Sequence, residues 1–154
     1  MSGQTLLAVL GILGTLGGTL TVTLLQQRAA RIERADRLAQ DKKDSLINAV
    51  TTFVAALTAH RRTMWHRERL RLTGADDTLY QDARSDSHRT REEITAPLVT
   101  LSILAPSLAA AANTAARTTY AMRAATDEDA LDAARAAAAQ ATEELIAAAA
   151  EHLA

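Results

Sequence analysis

Between Leu46 and Met64 the chain reads LINAVTTFVAALTAHRRTM, and the spacing of its apolar residues decides the fold class. Large apolar side chains and one histidine recur at alternating steps of four and three residues. These seam residues are Leu46, Val50, Phe53, Leu57, His60 and Met64. The spacing places them along one side of an α-helix, as in helices that pack against partner helices. The stretch therefore predicts an all-α protein.

The helix predicted around this seam extends far in both directions. No glycine or proline occurs between Gly18 and Gly74, and most residues there favour helix. Thr73 and Gly74 form a C-terminal stop, because glycine accepts the left-handed conformation that ends many helices. Asp44 and Ser45 are residue types that cap helices, so a soft joint at that point is also consistent with the sequence.

The next helix is predicted to begin at Asp76 or Asp77, either of which can cap it. Its seam runs through Leu79, Ala83, Ser87, Thr90, Ile94, Leu98 and Leu101. Residues 82–93 are nearly all polar, so we expect the first half of this helix to be exposed. Pro97 is expected to kink the helix or divide it near Thr95, because proline cannot donate the helical hydrogen bond.

Two further helices are rich in alanine. Pro106 fits the first turn of one, and Thr126 is expected to cap the other by accepting from the amide of Asp129. Their seams are Leu108, Ala111, Ala115, Thr118 and Met122, and then Leu131, Ala134, Ala138, Ala141, Leu145, Ala149 and His152. Short connections imply antiparallel neighbours, so residues 46–154 are predicted to form an antiparallel bundle of about four helices.

A second stretch, TLLAVLGILGTLGGTLTVTLL from Thr5 to Leu25, predicts where the protein lies in the cell. It contains 21 residues without a charge, and a helix needs about 20 apolar residues to cross a bilayer. A cleaved signal peptide is the rival interpretation, but signal peptides have a basic segment before a shorter apolar core. We therefore expect a transmembrane anchor over residues 1–27 and a basic juxtamembrane connector over residues 28–45.

Basic residues lie only on the C-terminal flank of this run, at Arg28, Arg31, Arg34 and Arg37. Cytoplasmic flanks of membrane helices are enriched in Lys and Arg. The pattern predicts a single-pass protein of the inner (plasma) membrane with a cytoplasmic C-terminal domain, whose arginines contact anionic membrane lipid. Gly14 and Gly18 have the spacing that lets two membrane helices pair closely, although glycine is also common as filler in such helices.

Composition and motifs exclude several kinds of site. The chain has no cysteine, so disulfides and thiolate metal sites are absent. Its histidines, at positions 60, 66, 88 and 152, form no pair with metal-ligand spacing, and no nucleotide or hydrolase motif occurs. We expect no catalytic residue, no cofactor and no metal, and we do not expect an enzyme.

Charge is distributed unevenly, with 11 Lys/Arg against 5 Asp/Glu in residues 28–71 and 6 against 13 in residues 76–154. The densest basic cluster comprises His60, Arg61, Arg62, His66, Arg67, Arg69 and Arg71. Trp65 is a potential stacking residue for nucleic acid, but Glu68 interrupts the cluster. We interpret it as the solvated face of an amphipathic helix that meets lipid headgroups or the acidic half, and we do not expect nucleic acid as a partner.

The junction LLQQRAARIERADR, from Leu24 to Arg37, resembles that of small actinobacterial proteins described as KilB-like. Those proteins join a glycine-rich N-terminal span to an Arg/Glu-rich helix and an alanine-rich helical tail, and their name comes from a plasmid locus connected with conjugal spread. The resemblance implies a membrane-anchored helical protein associated with a mobile element. It assigns no role to any residue of this chain.

Two functions from different classes fit these observations. The first is a membrane-anchored helical scaffold or interaction protein that binds a protein partner or a second copy of itself. The alternative is a membrane-perturbing toxin or a holin-like protein, which the glycine-rich span and the KilB-like resemblance favour. Leakage of a dye from cells that express the chain would distinguish them.

Overall fold

The computed structural model describes the backbone of residues 3–154 and the side chains of residues 31–154. Every regular element in this part of the chain is helical, so the predicted all-α class is confirmed. The elements are α1 (Gly3–Leu72), α2 (Asp77–Leu104), a 3₁₀ turn (Pro106–Leu108), α3 (Ala109–Ala121) and α4 (Glu128–Leu153). The chain divides into two compact units between Lys42 and Lys43.

The first unit contains the N-terminal part of α1. Its described side chains, from Arg31 to Lys42, are all exposed. Glu33 and Arg37 form an ion pair on this surface, with 3.7 Å between Oε2 and Nη2. Exposed pairs of this kind contribute little to stability. No helix within the described residues is long and apolar enough to cross a bilayer.

The predicted anchor lies outside the described side chains. This holds for the apolar run at residues 5–25, for the proposed dimer contacts Gly14 and Gly18, and for Arg28 on the flank. The anchor and its pairing therefore stay predictions.

In the second unit, α1 ends at the glycine stop that the sequence predicts. Gly74 has a φ of 65°, its amide donates to the Arg71 carbonyl at 3.4 Å, and the Ala75 amide donates to the Leu70 carbonyl at 3.0 Å. This pair of bonds is the Schellman pattern, in which a left-handed residue closes the last turn. The helix continues without interruption through residues 44–45, so the soft joint considered there does not form.

The start of α2 agrees with prediction, and its middle is continuous. The Asp76 carboxylate accepts a hydrogen bond from the Thr78 amide at 2.8 Å and caps the helix. Pro97 lies inside α2, which continues to Leu104, so of the two predicted effects, a kink or a division near Thr95, the division does not occur. Packing of the apolar second half against α1 and α3 compensates for the one hydrogen bond that proline removes.

Burial along α2 follows the predicted seam except at its first residue. Leu79, placed on the seam, is 56% exposed. Ser87 and Thr90 are only 2% and 3% exposed, which confirms the seam at both positions, while the polar residues around them face solvent as expected. The reason is that these two hydroxyls bond to side chains of α1, which makes their burial favourable.

The caps and faces of α3 and α4 need smaller corrections. Asp127, one residue after the predicted Thr126, caps α4 by accepting from the Ala130 amide at 2.7 Å. A carboxylate is the stronger acceptor, and the Thr126 hydroxyl donates to it. In α3 the buried face is broader than predicted and is shifted by one residue at two positions, because the helix packs against both α2 and α4. Its buried residues are Ala112, Ala115, Ala116 and Thr119.

Hydrogen bonds between helices establish their directions within the second unit. Lys43 Nζ donates to the Leu153 carbonyl at 3.2 Å, and Trp65 Nε1 donates to Asp132 at 3.1 Å. Later positions in α1 thus meet earlier positions in α4. The two helices are antiparallel.

The short connection after Gly74 joins α1 to α2, and these neighbours are antiparallel as predicted. The reason is that Arg67 meets Ser87, while the earlier His60 meets the later Thr90.

The core of this unit is built from a few large side chains among many alanines. Phe53, Leu57, Ile94, Leu101 and Leu145 are fully buried in the main cluster. A second cluster contains Met64, Met122, Leu131 and Ala138. The predicted seam of α1 is confirmed, since every member except the half-buried Val50 is buried.

Candidate functional site

A buried polar layer joins α1 to α2 beside the core. His60 Nδ1 lies 3.0 Å from the Thr90 hydroxyl, and the Thr63 hydroxyl lies 2.8 Å from the same oxygen. Thr90 also donates to the Asp86 carbonyl at 3.0 Å. The layer therefore satisfies the polar groups that burial would otherwise penalise.

His60 is 2% exposed, and its pKa is lowered from 6.5 to about 4. Burial is the largest cause, followed by the positive charges of Arg91, Arg67 and His88. The imidazole is therefore neutral near pH 7. Sequence reasoning placed His60 both on the apolar seam and in a solvated basic cluster, and the structure supports only the first placement.

The predicted solvated face is also wrong at Arg67 and Glu68, which are 7% and 1% exposed. The Glu68 carboxylate lies 3.6 Å from Arg67 Nε and accepts from Arg71 Nε at 2.7 Å. Arg71 also donates to the Ala125 carbonyl in the α3–α4 connection. Glu68 thus neutralises the buried Arg67 and orients Arg71, which links the end of α1 to that connection, rather than interrupting an exposed basic stripe.

Trp65 is engaged within the bundle. Its indole N–H bonds to Asp132, and the guanidinium groups of Arg69 and Arg135 lie 5.0 and 4.9 Å from the ring centroid. Such cation–π contacts hold the ring between α1 and α4.

A small cavity opens where α1, α2 and α3 meet, and we call it the cationic cavity. It has a volume of about 20 Å³. Its lining residues are His60, Met64, Arg67, Ser87, His88, Arg91, Tyr120 and Arg123. Arg91 lies over the Tyr120 ring at 4.5 Å, and the edge of His60 meets the same ring with 5.6 Å between centroids. Its lining contains no carboxylate.

A larger and uncharged depression, the α1–α2 groove, lies at the other end of these two helices. Its volume is about 520 Å³, and it is lined by Ser45, Asn48, Ala49, Thr52, Ala96, Pro97, Thr100 and Leu104. Beside it Val99 and Ile103 are 52% and 73% exposed. No charged residue occurs between Glu93 and Arg117. This uncharged stretch is the sequence signal that could have identified the groove.

The residues predicted to orient the protein are solvent-facing where they are described. Arg31, Arg34 and Arg37 are exposed, which leaves them accessible to lipid headgroups. The described side chains include no group of His, Asp and Glu that could hold a metal ion.

Comparison with known proteins places these features in a family. The sequence model of the KilB plasmid transfer protein family matches residues 47–153. Protein KilB of Streptomyces lividans is 49% identical over 142 residues, which are 92% of this chain and 94% of that protein. No solved structure matches the chain.

Proposed function

Because the chain belongs to the KilB plasmid transfer protein family, we propose that it acts in plasmid transfer as a membrane-anchored helical interaction protein. The observation that carries the proposal is the uncharged surface of α2 beside the α1–α2 groove. Val99 and Ile103 expose apolar area there without a charged neighbour in sequence. Exposed apolar patches next to a groove are typical of protein-interaction surfaces.

The anchor rests on sequence. The apolar run at residues 5–25 has the length of a bilayer span, and the arginines that follow it favour a cytoplasmic flank. The proposed location is the plasma membrane, with a single span and the bundle of residues 43–154 in the cytoplasm. A tethered bundle meets partners at the membrane surface, where a conjugating plasmid leaves the cell.

We propose an apolar helix of a partner protein as the occupant of the α1–α2 groove. The lining has no charged residue, so a charged peptide would lose hydration without gaining an ion pair. An amphipathic helix instead covers such a groove with side chains at steps of three and four residues. A second copy of this chain is the other source of such a helix.

Site-specific cross-linking tests this surface. A photoreactive residue in place of Ile103 should cross-link to one defined protein in cells that carry a transferable plasmid. The same residue in place of Leu79 should give no such cross-link. Leu79 is the matched control because it is an exposed leucine on the same helix, 56% exposed and away from the groove. Equal capture at both positions would contradict the proposal, and capture of a second copy would identify a homo-oligomer.

The membrane-perturbing alternative makes a different prediction. A toxin or holin-like protein would release a dye from cells even after deletion of residues 76–154, because the span alone would carry the activity. An interaction protein would release no dye. Dye release by the chain that lacks residues 76–154 would therefore contradict the proposed function and favour the membrane-perturbing alternative.

A further inference from the structure

The cationic cavity gathers positive charge that the bundle leaves uncompensated. Arg67, Arg91 and Arg123 line it together with His88. Among the described residues, no carboxylate lies within ion-pairing distance of Arg91 or Arg123. Arg67 is 3.6 Å from Glu68, but that carboxylate is shared with Arg71. The cavity therefore carries a net positive charge.

This charge shifts the pKa values of two neighbouring side chains, His60 and Tyr120. The positive charges of Arg91, Arg67 and His88 add to burial in lowering the pKa of His60, and Arg91 opposes the rise that burial causes in the pKa of Tyr120. The first effect shows that cations repel a protonated His60, and the second shows that Arg91 favours a negative charge beside it. An anion in the cavity would relieve that repulsion.

Donors are already in position. Arg67, 7% exposed, is held by a hydrogen bond from Nη1 to the Ser87 hydroxyl at 3.3 Å. Its Nε lies 3.6 Å from the Glu68 carboxylate and is buried without a hydrogen-bond partner. Arg91 is oriented by its contact with the Tyr120 ring at 4.5 Å. Guanidinium groups oriented in this way lose little freedom when they bind an oxyanion.

We propose that the cationic cavity is a binding site for a phosphate group. The 20 Å³ space admits about one oxygen atom or one water molecule. One phosphate oxygen would occupy it near Arg67, and the remaining oxygens would meet Arg91 and Arg123 at the exposed mouth. A phosphate dianion suits three guanidinium groups better than a carboxylate does, because it offers more charge and more acceptor oxygens.

The direct test is a calorimetric titration of the full chain, in neutral detergent, with inorganic phosphate. A titration with chloride at equal ionic strength is the control for non-specific charge effects. Arg91→Gln and Arg123→Gln should each weaken binding by about tenfold to a hundredfold, the value of a charge-assisted hydrogen bond. Both side chains are exposed, so the variants should fold. Circular dichroism checks that they do.

Matched controls separate a site from general attraction. Arg84→Gln on α2 and Arg117→Gln on α3 remove the same charge from exposed positions outside the cavity. The proposal expects unchanged phosphate affinity in both. An equal loss in all four variants would overturn it, as would the absence of saturable binding up to roughly 10 mM phosphate.

Vesicles distinguish a free phosphate from a lipid headgroup. If the ligand is a headgroup, flotation with vesicles that contain phosphatidic acid should exceed flotation with phosphatidylserine at equal charge, and Arg91→Gln should abolish the difference. If the ligand is free phosphate, calorimetry should detect binding, and the protein should bind equally to the two kinds of vesicle. Both sources would be excluded if Arg91→Gln left vesicle binding unchanged and calorimetry detected no binding of phosphate.

Discussion

Arg71 donates its Nε–H to the Glu68 carboxylate across 2.7 Å, one helical turn away and at the end of α1. Glu68 is 1% exposed, so water does not solvate its carboxylate, and this arginine and Arg67 supply the compensating positive charge. Removing one member of a buried ion pair leaves the other charge uncompensated. The pair therefore stabilises the region where α1 meets the α3–α4 connection.

Replacement of Glu68 should be costly. We expect Glu68→Gln to lower the free energy of unfolding of residues 43–154 by roughly 3 kcal/mol, because Arg67 stays buried without a counter-charge. Urea unfolding followed by circular dichroism measures this. The control is Glu93→Gln, which removes an exposed pair with Arg89 and should cost less than about 1 kcal/mol. Equal costs would show that burial adds nothing.

The apolar seam gives a second stability prediction. Phe53 is 0% exposed, and Phe53→Ala should lower the free energy of unfolding by roughly 3–5 kcal/mol through lost burial and a cavity. Ile47→Ala on the same helix is the control, since Ile47 is 44% exposed. Indifference to Phe53→Ala, or a sheet-type spectrum for residues 43–154, would contradict the packing described for the core.

The depressed pKa of His60 predicts loss of stability in acid. The unfolded chain takes up the proton near pH 6.5 and the folded chain only near pH 4. Stability is therefore complete above about pH 6.5 and falls as pH decreases toward 4, by at most about 3 kcal/mol. The groups that face the ring are Arg67, His88, Arg91 and Tyr120.

Unfolding measured from pH 7 to pH 4.5 tests this dependence. His60→Gln, which keeps a donor for Thr90, should flatten the slope, whereas His152→Gln at an exposed position should leave it unchanged. The Asp76 and Asp127 carboxyls, whose pKa values are lowered by backbone hydrogen bonds, lose their contribution only below this window. If stability depends on pH equally in His60→Gln and in the wild-type chain, another group causes the dependence.

The charge pattern predicts membrane topology. With arginines at 28, 31, 34 and 37 on one flank only, a reporter fused after Ala154 should be active as a cytoplasmic fusion and silent as an external one. Replacing all four arginines with glutamate should weaken that preference. Strong external activity of the wild-type fusion would reverse the orientation.

Pairing of two spans is a separate prediction. Gly14→Ile with Gly18→Ile should block close approach of two helices without lowering hydrophobicity. Cross-linking in native membranes should then lose a dimer band that the wild-type chain shows. If the wild-type chain shows no such band in membranes or in detergent, the glycines are filler and the span serves only as an anchor.

Local features of the fold could be predicted from residue types. Gly74 as a stop and Asp76 as a cap depend on hydrogen bonds within a few residues of each other in sequence. The seam of α1 was clear because large side chains such as Phe53 and Leu57 stand out from their neighbours. In α3 the seam was inaccurate, since an alanine-rich helix has no large side chain to mark its buried face.

The sites could be predicted much less well. The spacing placed Ser87 and Thr90 on a seam, but Arg67 and Glu68 are charged, and charge alone predicts exposure. The burial of Arg67 depends on Ser87 of another helix, as that of His60 depends on Thr90. The cationic cavity likewise needs α1, α2 and the turn after α3 to bring its arginines together.

The sequence by itself determined the helical class, the stop at Gly74, the cap at Asp76, the uncharged stretch of α2 and the one-sided arginines after the apolar run. These properties follow from neighbouring residues, because a helix forms through bonds four residues apart. Only the tertiary structure decided which polar groups are buried and which cations stay without an acid. A polar side chain can be buried when another helix supplies its hydrogen-bond partner, and the spacing of residues along one helix does not specify what that neighbour offers.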